Sequence, residues 1–191
     1  HPGTAWAWVN NTPFRYYKQN QFEGGIASPA VIFWPGGIKA NPGSVIRDPV
    51  HIIDVLPTLA EISNSEIPSV WPGRELNPVA GISIAPTLRA EPLEERDLYL
   101  HFASDRGIRS GPWKLVSFRE HPWELYNISK DRTEVYDVVD EHPEIALDLA
   151  EKWYKMARYV DKSPLQLRTI LSPKEVEKLH PTWTDYTEEK M

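Results

Sequence analysis

Residues 1–28 hold no sustained hydrophobic period. Gly3, Pro13, Gly24, Gly25 and the following Pro29 break them into turns, with Trp6, Trp8, Phe14, Tyr16, Tyr17 and Phe22 interleaved. This predicts a long, aromatic-rich loop system, and long loops in compact proteins usually serve function. Ala30-Val-Ile-Phe-Trp34 then runs apolar without alternation into Pro35-Gly-Gly37, the pattern of a strand buried on both faces. Such a strand needs neighbours, and nothing before it supplies them, so the rest of its sheet is expected in residues not present. Asp48-Pro49 predicts a helix start, with Asp as N-cap and Pro at the first helical position. Ile52, Ile53, Leu56, Leu59 and Ala60 share its apolar face, Ile62 extends it, and Pro57 predicts a kink. A Pro-rich loop follows to Gly81, then a short helical turn from Ile82 to Leu88.

From residue 97 the character changes. Asp97–Phe102, Arg106–Arg109, Trp113–Ser117 and Trp123–Tyr126 are short segments between turn signals, which predicts an antiparallel meander with one wet and one dry face. A final helix is expected from about Pro143 to Val160, with Ile145, Leu149, Trp153, Met156 and Val160 as its apolar stripe. The tail from Asp161 is polar, with short capped pieces such as Ser172-Pro-Lys-Glu175, and is expected to wrap the surface. The expected architecture is α/β, the end of a large mixed sheet with flanking helices, followed by a small α+β domain with an antiparallel sheet and one packed helix. The expected boundary divides residues 1–92 from 93–191.

Composition narrows the class. Apolar residues make up 41% and charged residues 25% of the 191, enough for a globular core. Eighteen prolines fit many ordered loops and short elements. A net charge of −6 without any Lys/Arg run argues against nucleic acid as a partner. No uninterrupted apolar run is longer than the five residues of Ala30 to Trp34, far short of a membrane span. There is no cysteine, so disulfides, thiolate metal sites and a cysteine nucleophile within the chain are excluded.

Candidate chemistry lies in Asn11-Thr-Pro-Phe-Arg15-Tyr-Tyr-Lys18-Gln-Asn-Gln-Phe-Glu23-Gly-Gly-Ile26. Gly24-Gly25 permits positive φ and a close backbone approach. Glu23 has two partners open to it, the turn's own N–H groups or Arg15. Lys18 is then a compact cation held among rings, suited to a tetrahedral oxyanion. The same pattern also describes a solvated surface turn.

The stretch from Asn11 to Ile26, with Trp34-Pro35-Gly36 after it, resembles the type I sulfatase family (arylsulfatase-like, alkaline phosphatase superfamily). The resemblance continues in His51-Ile-Ile-Asp54-Val-Leu-Pro57-Thr58, in Ile108-Arg109 to Trp113-Lys114-Leu115, and in Glu124-Leu-Tyr126-Asn-Ile-Ser-Lys-Asp131-Arg-Thr-Glu134, where Asn127 replaces the usual Asp. Four blocks in the family's order make the likeness specific. It implies that Lys18 contacts the sulfate oxygens of a sulfate ester, aryl or carbohydrate, and helps stabilise the transferring group. It implies that Glu23, Gly24 and Gly25 are a structural turn of that site. His101 falls where relatives place a histidine near the leaving group, against which stands a packed strand histidine. His51 and Asp54 read as helix-end or core partners. The formylglycine motif and the carboxylate ligands of the family's calcium ion are not found here; the resemblance places them upstream, with no metal ligand in this chain. It implies further that the missing N-terminal part of the same protein is a partner, that this chain alone is inactive, and that the whole is periplasmic, secreted or lysosomal.

Two other functions fit the residues. A phosphate or phosphonate ester hydrolase of the same superfamily presents the same lysine to a similar anion. A non-catalytic carbohydrate-binding module would instead stack sugars on the first loop, Trp71, Trp113 and Trp123, although these rings also suit a core. Asn10-Asn11-Thr12 and Asn127-Ile128-Ser129 are glycosylation sequons in form.

Overall fold

The computed structural model describes residues 3–41, 43–119 and 121–160. In chain order its elements are helix α1 (Gly3–Asn11), the single turn α2 (Glu23–Ile26), a 3₁₀ turn (Ile52–Asp54) leading into α3 (Val55–Ile62), a minimal hairpin of β1 (Val70–Trp71) and β2 (Arg74–Glu75), the turn α4 (Ala85–Leu88), strands β3 (Asp97–Phe102), β4 (Asp105–Ser110), β5 (Trp113–Ser117) and β6 (Glu124–Asn127), and helix α5 (Pro143–Val160). The described residues form two compact units, one from 3–29 with those of 96–160 and one from those of 30–95. The first segment therefore groups with the meander and not with residues 30–92, because its side chains bond to β5, β6 and the turn after them. The expected tail pieces, including Ser172–Glu175, lie outside the described residues.

In the first unit β3-β4-β5-β6 form an antiparallel meander. Its register pairs Ile108 with Leu115 and Leu115 with Leu125, placing these three on one face. Helix α5 covers that face through Ala146, Leu149, Ala150, Trp153, Tyr154 and Ala157, all buried with Trp123. The stripe thus lies about one position away from the expected one; Ile145 and Met156 only flank it, and Val160 is exposed. Trp153 is fully buried and donates its indole N–H to Leu100 O at 3.1 Å.

The opposite face was expected to be wet and is not. The register sets Gly107 beside Val116, and Lys114 beside Tyr126. Phe22, Val116, Tyr126 and Ile128 form a second buried cluster there, flanked by Tyr16 and Phe118. Residues 14–26 cover this face. Lys114, on the face expected to be wet, is completely buried. Residues 3–28 are also more regular than a loop: α1 is helical but buries none of its residues.

In the second unit four expectations change. Ala30–Trp34 is not a strand, and Val31 and Phe33 are exposed. No strand among the described residues lies beside it, so its main chain has no ladder to join. The helix cap is not Asp48 but His51, three residues on. Its Nδ1 accepts from Ile53 N at 3.3 Å, while Asp54 Oδ2 accepts from His51 N at 2.7 Å. This reciprocal box satisfies two spare amide donors. Buried Asp54 also accepts from Ile82 N at 3.1 Å, and Thr58 Oγ1 from Ile84 N at 2.9 Å, so the His-x-x-Asp-x-x-Pro-Thr block ties α3 to the segment leading into α4. Pro57 sits in the first turn of α3, where its missing N–H leaves no bond unmade and produces no break. The hairpin at 70–75, unexpected in a Pro-rich loop, turns at Pro72-Gly73, with Gly73 at φ 87°.

Candidate active-site loop

Lys18 stands exposed on the loop between Arg15 and Glu23, with no hydrogen bond or ion pair among the described residues. The loop beneath it is tightly built. Tyr16 and Gln19 take positive φ, at 60° and 79°. Asn20 and Gln21 are buried, and Asn20 folds its amide onto Tyr17 O. Gly24 N donates to Arg15 O at 3.0 Å and Gly25 N to Phe22 O at 2.8 Å. A β-carbon on Gly24 would lie 2.2 Å from Arg15 O, and one on Gly25 would lie 2.2 Å from Asn20 O. The glycines are therefore required for close approach. Positive φ, the other expected reason, does not apply, since both are in the helical turn α2.

Glu23 settles neither on the turn's own N–H groups nor on Arg15. It is buried and its Oε1 lies 2.9 Å from Lys114 Nζ. Lys114 Nζ is also 2.7 Å from Glu134 Oε1, and Glu134 Oε2 accepts from Glu23 N at 2.7 Å. Arg132 approaches Glu23 Oε2 at 3.5 Å from the surface side. Two carboxylates and the Lys114 ammonium thus meet in the interior, and Arg132 adds a second cation from the surface. Burial raises the Glu134 carboxyl above its ordinary value, and the Lys114 ammonium opposes that rise without cancelling it.

Arg15 forms the second attachment. Its guanidinium donates to Glu124 Oε2 at 3.0 Å, Tyr126 Oη at 2.6 Å and Glu134 O at 3.0 Å, and lies 4.1 Å from the centre of the Phe22 ring. Tyr126 Oη in turn donates to Glu124. Burial first, and then the bond to Glu124, raise the Tyr126 phenol well above its ordinary value. The turn that delivers Glu134 is itself capped. Asp131 Oδ2 accepts from Val135 N and Tyr136 N, both at 2.8 Å, and Glu134 takes φ 56°. Asn127, in the usual Asp position, accepts from Lys130 N and Asp131 N through its carbonyl and from Ser129 Oγ through its amide oxygen. That bonding leaves the sequon at Asn127 part of a closed turn.

His101 lies on β3, half-buried, with its ring edge-on to Trp153 at 5.6 Å and Nε2 2.9 Å from Ala103 O. It packs against the core helix, and no hydrogen bond or ion pair joins it to Lys18. Trp113 is likewise partly buried against the α5 core and Trp123 fully so, whereas Trp71 is exposed. Among the described residues no three of His, Cys, Asp or Glu are gathered where they could hold a metal ion. No helix of the described residues is long and apolar enough to cross a membrane.

Sequence reasoning missed Lys114, Arg132 and Glu134 as members of this site. Their spacing gave no sign of it, because they meet Glu23 across 91 to 111 positions. The one available signal was their place inside the blocks Trp113-Lys-Leu115 and Glu124–Glu134.

Residues 13–159 match the family profile described as N-sulphoglucosamine sulphohydrolase, C-terminal. A sulfatase of Formosa agariphila is 33% identical over 114 residues, covering 58% of this chain and 20% of its own length. Bovine arylsulfatase A is 34% identical over 110 residues, covering 54% and 20% respectively. The chain thus spans about a fifth of the length of these relatives. In fold it is similar to the crystal structure of Ps i-CgsB, with a TM-score of 0.61 at 23% identity over 78% of this chain and 32% of that one. With the profile covering most of its length and the four motif blocks accounted for by the geometry, the chain belongs to the type I sulfatase family, over the region that family places at its C-terminal end.

Proposed function

We propose that the protein to which this chain belongs hydrolyses sulfate esters of the aryl or carbohydrate type, and that Lys18 supplies the positive charge on one wall of the sulfate site. The observation that carries this is the contrast between Lys18 and its neighbours. Arg15 and Lys114 are tied to carboxylates, while Lys18 is left exposed and unpaired on a loop whose geometry is fixed on both sides. An ammonium held in place before the reaction stabilises charge on a transferring sulfuryl group without reorganisation cost. A formylglycine nucleophile and a calcium ion, implied by the family, would come from outside these residues, and the chain alone is then inactive, since placed charge without a nucleophile leaves most of the barrier standing. His101 would have a place near the leaving group only through its exposed edge, and its packing on Trp153 favours a structural part.

The test is Lys18→Ala in the complete enzyme, assayed on an aryl sulfate ester with the matching phosphate ester in parallel. Removing one preorganised donor of this kind costs about 10²–10³-fold in kcat. A loss below about tenfold would remove Lys18 from the site. Faster turnover of the phosphate ester would overturn the assignment to sulfate.

A further inference from the structure

Among the described residues no backbone–backbone hydrogen bond joins residues 12–28 to the sheet beneath them. Each polar attachment of the segment involves a side chain on at least one partner, and they gather at two places. Arg15 bonds to Glu124, Tyr126 and the Glu134 carbonyl; Glu23 bonds to Lys114 and, through its amide, to Glu134. Lys18 lies between these two places. Phe22 adds an apolar contact in the cluster with Val116, Tyr126 and Ile128, and apolar contact is non-directional.

We infer that Arg15, Glu23 and Lys114 are positioning residues for Lys18: two buried or half-buried charge clusters fix the register of the loop on the sheet, and so the place of the exposed Lys18 ammonium. This rests on the reading of Lys18 as the sulfate-facing residue. Stability alone does not account for Lys114. Replacing a buried ion pair by well-packed apolar groups is often neutral or stabilising, because desolvating the charges is costly. Apolar groups in that place cannot fix an angle or a register; an ammonium 2.9 Å and 2.7 Å from two carboxylates does both. A displacement of about 1 Å at a reacting centre costs on the order of a hundredfold in rate, which is the scale on which such a device acts.

The experiment is a double-mutant cycle in the complete enzyme, read by activity and by hydrogen exchange. Lys114→Met should lower kcat/KM for an aryl sulfate ester by about tenfold or more in the wild-type background, yet by less than about twofold when Lys18 is already alanine, because its effect passes through Lys18. Exchange in the peptide covering residues 15–25 should quicken by about tenfold or more, with that of α5 unchanged. Equal losses in both backgrounds, or unchanged exchange at 15–25, would overturn the inference. If Lys114→Met does not fold, Arg15→Gln puts the same question to the other attachment. If Lys18→Ala leaves turnover intact, the reading of Lys18 falls, while the exchange result still decides whether Lys114 holds the loop.

Discussion

Gly24→Ala tests the fit of the loop in a single methyl group. The new β-carbon would stand 2.2 Å from Arg15 O, 2.5 Å from Tyr16 O and 2.9 Å from Arg15 C. All three are backbone atoms, so no side chain can swing aside. Restoring ordinary contact requires a shift of about 1 Å in one of the two strands of the loop, and overpacking of this kind costs about 1–3 kcal/mol. The shift also stretches the 3.0 Å hydrogen bond from Gly24 N to Arg15 O, worth about 1 kcal/mol. Against these stands the helix propensity of alanine, which offsets about 1 kcal/mol. The balance is a loss of about 1–3 kcal/mol, or about 2–12 °C in Tm for a chain of this length. Gly107 provides the internal comparison. Its added β-carbon would meet Gln21 Cβ at 3.0 Å and Leu115 O only at 3.4 Å, so Gly107→Ala should cost less than about 1 kcal/mol. Thermal unfolding followed by near-ultraviolet circular dichroism of the buried tryptophans measures both. If Gly107→Ala proved the more damaging, the claim that Gly24 is required by close approach would be wrong.

Trp153→Ala removes the ring that meets Tyr99, His101, Trp123 and Tyr154 and the donor to Leu100 O; urea unfolding should show a loss of about 3–5 kcal/mol, and Trp71→Ala, exposed, almost none. Tyr126→Phe should flatten the alkaline limb of the stability profile. The folded phenol titrates above the unfolded one, so its contribution is complete below about pH 10 and is lost as pH rises beyond that; an alkaline limb of the same slope in the variant would refute this.

The meander and α5 were legible because their signals are local. Turn residues separate Asp97–Phe102 from Arg106–Arg109 and Trp113–Ser117, and a helical period runs through Leu149 and Trp153. The Lys18 loop was legible as chemistry, and Gly24-Gly25 as a place of close approach. The occupancy of the second sheet face was not. Alternation along Trp113-Lys-Leu-Val-Ser117 marks Lys114 as outward, and burial of a lysine depends on carboxylates 91 and 20 positions away, at Glu23 and Glu134. Periodicity has no term for a partner so distant. Ala30–Trp34 shows the converse: its composition is that of a buried strand, yet a strand is a property of a pair, and no partner is among the described residues.

The order of synthesis gives the ion cluster a further consequence. Glu23 is made 91 residues before Lys114 and 111 before Glu134, with the whole of the 30–95 unit in between. At about 5–20 residues per second, that gap is on the order of 5–20 s on the ribosome. During it Arg15 and Glu23 are hydrated and the Trp8, Tyr16 and Phe22 rings have no sheet to pack on, which leaves an aromatic stretch open to chaperones or to its own neighbours. Among the described residues of its unit, the earliest-made segment therefore waits for its attachments until Glu134 has followed.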